Sequence, residues 1–196
     1  VATGTDALEL AYRAVGVGPG DEVIMPANTF VATAEAASRI GAIPILVDVD
    51  PKYLLIDPRA VEASITSRTR AIVPVHLYGQ TAPVDELISI AEARALPVVE
   101  DAAQAQGAFS TEGRAGSFGA VAATSFYPGK NLGAAGEAGA GLTSDDNIAD
   151  MVRALASHGS RSKYVHDLVG FNARLDAIQA PVLRAKLRRL GRWNSE

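Results

Sequence analysis

Lys130 stands in the stretch TSFYPGKNLG, five residues past Ser125 at the end of an apolar run, with Pro128 and Gly129 before it and Gly133 after it. A lysine on such a turn suits covalent chemistry if burial or nearby cations keep its amine neutral. Asp101 closes a second apolar run, LPVVED, and offers a carboxylate. Phe30 follows a third run in PANTF, and His76 and Tyr78 follow a fourth in VPVHLY. Gly4 and Thr5 open a helical pattern. One cofactor, pyridoxal 5'-phosphate, asks for a set of this kind. It needs a lysine to condense with its aldehyde, a carboxylate to keep its pyridine nitrogen protonated, an aromatic cover for its ring, and a helix start with hydroxyls for its phosphate. Lys130, Asp101, Phe30, and Gly4–Thr5 with Ser125 answer these needs in that order.

Each residue also has a simpler reading. A loop lysine is usually solvated. Asp101 can cap the following helix, Phe30 can belong to the core, and Gly4–Thr5 can be a turn and cap. Ser125 can be a small residue in a crowded strand, and His76 a core histidine with both nitrogens satisfied. The inference comes from the combination, with every member at a strand end or a helix start.

The elements that must position these residues follow from periodicity. Strands are expected at Glu22–Pro26, Ile43–Val49, Ala71–Leu77, Leu96–Asp101, Ala122–Tyr127 and Gly139–Thr143. Helical spacing covers Asp6–Val15, Val31–Ile40, Pro58–Ile65, Val84–Ala95 and Asn147–His158. The runs IPILVDV and AIVPVHL are apolar on both faces, as parallel strands covered on two sides would be. Strand–helix alternation then predicts an α/β fold, with a doubly wound, mostly parallel central sheet flanked by helices. Ligands of such sheets gather beyond the carboxyl ends of the strands. The glycine-rich GKNLGAAGEAGAG is neither a dinucleotide fingerprint nor a Walker A loop, since Asn131 follows Gly-Lys where Ser or Thr belongs.

The totals narrow the function classes. A chain of 196 residues makes one substantial domain. The net charge of -4 argues against nucleic acid or an anionic membrane as partner. With no cysteine, disulfides, thiolate metal sites and a cysteine nucleophile are excluded. No run approaches the ~20 apolar residues of a membrane span, and the cytoplasm is the default compartment for an α/β enzyme. The basic cluster Arg184 to Arg192 reads as a solvated face of a terminal helix. The ends, at VATGTDAL and RWNSE, read as cut.

Taken in order, GTDALEL, VIMPANTFVATAEA, VPVHLYGQ, VVEDAAQAQGA, TSFYPGKNLGA and GFNARLDAIQA make the chain resemble the sugar aminotransferase branch of the fold type I pyridoxal-phosphate enzymes, the DegT/DnrJ/EryC1/StrS family. The resemblance implies that Lys130 carries the cofactor, that Asp101 pairs with the pyridine nitrogen and that Phe30 stacks on the ring. It further implies that Gln104 lies near the ring hydroxyl, and that Gly4, Thr5 and Ser125 hold the phosphate. Asn172, in GFNARLD, is implied to reach the phosphate of a neighbouring subunit, so that a homodimer shares its active sites. The implied activity is transfer of an amino group, with glutamate as the expected donor, to a nucleotide-linked keto-deoxysugar of the dTDP type.

The wording SFYPGKNLGA resembles enzymes acting at C3 of the sugar; those acting at C4 tend to read SFHATKN. The alternatives are a C4 enzyme, or a cofactor-binding, dimer-forming domain with no turnover of its own. Related dehydratases have histidine in place of the lysine, so Lys130 favours transamination. Gln104 stands where many relatives carry His. Pro181 falls where relatives carry a helix former; proline inside a helix costs about 3 kcal/mol unless it lies in the first turn. Family members are also longer, which makes residues 1–196 the large cofactor-binding domain, with an N-terminal segment and a small C-terminal domain outside it.

Overall fold

The computed structural model describes residues 1–196. Helix α1 (Gly4–Ala14) begins at Thr3, whose hydroxyl accepts from the Asp6 amide, and it buries Ala7, Leu8, Leu10, Ala11 and Tyr12. Strand β1 (Glu22–Pro26) is buried along its whole length and pairs in parallel with β2 (Ile43–Val47) and β3 (Thr69–Ile72). Strand β4 (Val99–Asp101) pairs in parallel with β5 (Val121–Ser125), and β6 (Gly139–Leu142) closes the row antiparallel to β5.

The two rows, β2-β1-β3 and β4-β5-β6, meet through parallel bridges between Ile72 and Val98 and between Val75 and Asp101. The run expected as one strand from Ala71 to Leu77 is therefore regular only to Ile72. Pro74 has no amide hydrogen to give to a ladder. Its carbonyl still accepts from the Asp101 amide at 2.9 Å, so the chain continues beside β4.

Residues alternate across this sheet. Val23 and Met25 join Leu8, Ala11, Tyr12, Ala36, Val99 and Val121 in one core, beneath α1 and α2 (Ala32–Arg39). Ile24 and Ile72 join Val61, Leu87 and Val98 in the other, beneath α3 (Pro58–Ser64) and α4 (Val84–Ala93). Two apolar layers on one mostly parallel sheet make the doubly wound α/β fold. The expectation of full cover fails at β2, where Ile43 and Leu46 are exposed. This strand is the sheet's edge and has β1 as its only partner.

After β6 come α5 (Asp146–Ala156), a short hairpin of β7 (Ser160–Ser162) and β8 (Val165–His166), and α6 (Gln179–Trp193). Pro181 is the third residue of α6. An amide there would lie among the free donors of the first turn, so the proline costs the helix no hydrogen bond. No helix is long and apolar enough to cross a membrane.

Candidate active site

At the carboxyl ends of the strands the chain encloses a cavity of about 410 Å³, lined in part by Gly4, Thr5, Phe30, Asp101, Gln104, Ser125 and Lys130. The sequence-predicted residues thus converge there, apart from Asn172. That residue is exposed, bridges to Ser157, and accepts from Arg174 Nε at 3.0 Å.

One end of the cavity is built for an anion. The helix dipole of α1 ends here, and the amides of Gly4 and Thr5 are first-turn donors with no acceptor in the chain. Helix and strand approach so closely that a Cβ on Gly4 would lie 2.6 Å from Ser125 Cβ. Only glycine lets the two backbones meet, and that contact brings the Ser125 hydroxyl against the helix start. Amides, dipole and hydroxyl together make a cradle of the kind that suits a phosphate.

Asp101 is buried at the end of β4. Its Oδ2 accepts from Thr33 Oγ1 at 2.7 Å and its Oδ1 from the Ala103 amide at 3.1 Å. Burial pushes the carboxyl above its ordinary pKa. The Thr33 and Ala103 bonds and the nearby His76 and Lys130 offset this only in part. A buried carboxylate bonded by neutral donors alone suits a cationic partner such as a protonated pyridine nitrogen.

Lys130 is half-buried on a loop that turns back at Tyr127. A Cβ on Gly133 would lie 2.4 Å from the Pro128 carbonyl oxygen, so the loop closes this tightly only with glycine there. Helix α6 holds the loop from outside. Lys186 Nζ donates to the Gly133 carbonyl at 2.6 Å, the Ala135 amide to Gln179 Oε1 at 2.9 Å, and Asn131 Nδ2 to Asn194 Oδ1 at 3.0 Å. Gln104 is half-buried in the cavity wall, whereas Phe30, which also lines it, is 66% exposed.

His76 lies on the sheet's other side and is fully buried. Its Nδ1 accepts the Ala82 amide at 3.0 Å, so the ring proton sits on Nε2 and is donated to Glu100 Oε2 at 2.9 Å. Glu100 also accepts from the amides of Gly116, Phe118 and Gly119, each at 2.7 Å. Burial alone would raise this carboxyl's pKa; the bonds from His76, Gly119 and Gly116 outweigh it and hold the group below its ordinary range. His76 is therefore the satisfied core histidine of the two readings above.

Sequence reasoning passed over Thr29, Tyr127 and Glu137, which line the cavity, and Thr33, which braces Asp101. Two hydroxyls one turn apart, Thr29 and Thr33, at the start of α2 were the available signal.

The model of the DegT/DnrJ/EryC1/StrS aminotransferase family matches residues 1–196. The chain is 53% identical over 195 residues to the erythromycin biosynthesis sensory transduction protein EryC1 of Saccharopolyspora erythraea, covering 100% of this chain and 53% of that protein. It is 50% identical over 194 residues to the dTDP-3-amino-3,4,6-trideoxy-alpha-D-glucose transaminase of Streptomyces venezuelae, covering 99% of this chain and 51% of that one. The crystal structure of S. venezuelae DesV in complex with a ketimine intermediate superposes with a TM-score of 0.96 at 50% identity, over 100% of this chain and 53% of that one. The chain spans about half the length of the curated relatives it matches. It belongs to the DegT/DnrJ/EryC1/StrS aminotransferase family and has the fold of its pyridoxal-phosphate enzymes.

Proposed function

We propose that the cavity holds pyridoxal 5'-phosphate, and that the protein of which residues 1–196 form the large cofactor-binding domain transfers an amino group from an amino acid to a nucleotide-linked keto sugar. The observation that carries this is the meeting of Lys130, Asp101 and the α1 phosphate cradle in one cavity. Bound there, the cofactor supplies an electron sink for the carbon that exchanges its amino group.

The chain's own residues do the rest. Gly4 and Thr5 amides with Ser125 Oγ hold the phosphate, and Asp101 holds the ring nitrogen and keeps its proton in place. Phe30 covers one face of the ring, and Gln104 faces the ring hydroxyl. Lys130 Nζ anchors the cofactor at rest. As a free amine, Lys130 Nζ would also serve as general base for a proton at the donor's α-carbon. Similarity to a transaminase named for the 3-amino sugar supports a dTDP-type keto-deoxysugar, aminated at C3, as acceptor; we take glutamate as donor. The exposure of Phe30 and the place of Asn172, exposed and outside the lining of its own cavity, support a homodimer in which Asn172 serves the neighbour's phosphate. Such chemistry belongs in the cytoplasm.

The test is chemical trapping. Borohydride treatment of the protein with pyridoxal 5'-phosphate should label Lys130, and Lys130→Ala should abolish the label with the fold intact. A label on Lys163 or Lys186 would overturn the assignment.

A further inference from the structure

We propose that Thr33, backed by Thr29, is the positioning residue that orients the Asp101 carboxylate toward the cavity. The inference rests on reading the cavity as a cofactor site, and it names a residue pair which that reading does not require.

Thr33 is fully buried, and its hydroxyl has a single proton to give. Three acceptors are in range, Asp101 Oδ2 at 2.7 Å, Thr29 Oγ1 at 2.8 Å and the Phe30 carbonyl at 3.2 Å. The shortest contact, to the charged oxygen, takes the proton. Thr29 Oγ1, at 2.8 Å, then donates to Thr33. The result is a directed chain from the cavity wall, where Thr29 stands, through Thr33 to Asp101. Each hydroxyl polarises the next and strengthens the bond that reaches the carboxylate.

The chain is anchored as well as directed. Buried Tyr12, from the helix whose start forms the phosphate cradle, donates its hydroxyl to the Thr33 carbonyl at 3.1 Å. One side chain of α1 therefore ties the anion end of the site to the residue that braces its carboxylate. With Oδ2 fixed by Thr33 and Oδ1 by the Ala103 amide, the carboxylate cannot rotate, and each oxygen keeps a lone pair for a ligand. The titratable groups acting on Asp101 are Tyr12 from α1, His76 from the segment after β3, and Lys130 from the loop after β5. All three remain when Thr33 is changed. Burial drives Asp101 toward its neutral form, and the Thr33 bond is the largest influence opposing it.

The experiment compares wild type, Thr33→Val, Thr33→Ser and Thr29→Val in the full chain by three readouts. These are the pH titration of the Asp101 carboxyl carbon by ¹³C NMR without cofactor, the ¹⁵N shift of the pyridine nitrogen in ¹⁵N-labelled pyridoxal 5'-phosphate, and the Kd for that compound. Thr33→Val keeps the shape and removes the hydroxyl. It should titrate at higher pH than wild type, leave the pyridine nitrogen less protonated at neutral pH, and bind about tenfold more weakly, the loss expected for one hydrogen bond to a charged group. Thr33→Ser should restore wild-type values. Thr29→Val, which leaves the buried bond in place, should move the titration in the same direction by less.

A wild-type titration in Thr33→Val, or, should that variant fail to fold, in Thr29→Val, would overturn the proposal. So would failure of serine to rescue. A wild-type protein that binds no pyridoxal 5'-phosphate would overturn the reading of the cavity instead, and the cofactor-free titration would still decide the role of Thr33.

Discussion

Glu100 and Asp101 are neighbours on β4, both buried, and they face opposite sides of the sheet with opposite electrostatic outcomes. Glu100 collects four donors: the His76 ring and the amides of Gly116, Phe118 and Gly119. Its carboxyl is held below the ordinary range. Asp101 collects two, and burial leaves it above that range. The same burial thus yields a finished internal anchor on one face and, on the other, a carboxylate with capacity to spare. Surplus acceptor capacity, rather than burial or charge, separates the candidate site from the scaffold. Glu100 pins the loop that feeds β5 and the turn at Ala82, whereas Asp101 opens on the cavity.

The largest effect should come from breaking the anchor. Glu100→Ala strands the His76 ring and three amides in the interior, and should cost about 3–5 kcal/mol of stability in chemical denaturation. Because the Glu100 pKa is lowered in the folded chain, its contribution is present above the ordinary glutamate range and lost as pH falls through the lowered folded value. The wild-type and mutant curves should therefore converge in acid. A mutant as stable as wild type at neutral pH would mean that the two carboxylates are alike.

Asp101→Asn should do the opposite. Its pKa is raised, so its contribution is present below the ordinary aspartate range and is lost as pH rises through the raised folded value. Removing the charge should leave the cofactor-free protein as stable at neutral pH, or slightly more so. Transamination by the whole protein should fall by on the order of 10²-fold or more, the scale for losing one oriented electrostatic partner.

These two effects also show what the sequence could and could not convey. Lys130, Asp101, Phe30 and Ser125 were legible because each ends an apolar run or follows one within a few residues, where strand ends collect ligands. Glu100 and His76 follow the same pattern yet serve the interior. Alternation along β4 decides which face each residue takes, and the single letters E and D do not reveal how many donors wait on each side. Thr33 read as an ordinary helical residue, since its acceptor lies 68 positions away. Pro74 interrupted a strand that hydropathy alone would have continued, and Pro181 made sense only once α6 was seen to begin at Gln179. The edge position of β2 followed from strand order, which short apolar runs do not specify.

A smaller effect should sharpen the contrast at the phosphate end. Gly4→Ala forces a Cβ toward Ser125 and should cost about 1–3 kcal/mol, as overpacking does. Affinity for inorganic phosphate and for pyridoxal 5'-phosphate should drop together, while the Glu100 anchor keeps its titration. An unchanged affinity would remove α1 from the site.

The most direct measurement titrates both carboxyl carbons of β4 by ¹³C NMR with and without pyridoxal 5'-phosphate. The Asp101 midpoint should fall on binding, because a protonated ring nitrogen stabilises the charged form, and the Glu100 midpoint should stay where it is. An Asp101 midpoint that ignores the cofactor, or a Glu100 midpoint that moves with it, would contradict the division of β4 into a site face and a scaffold face.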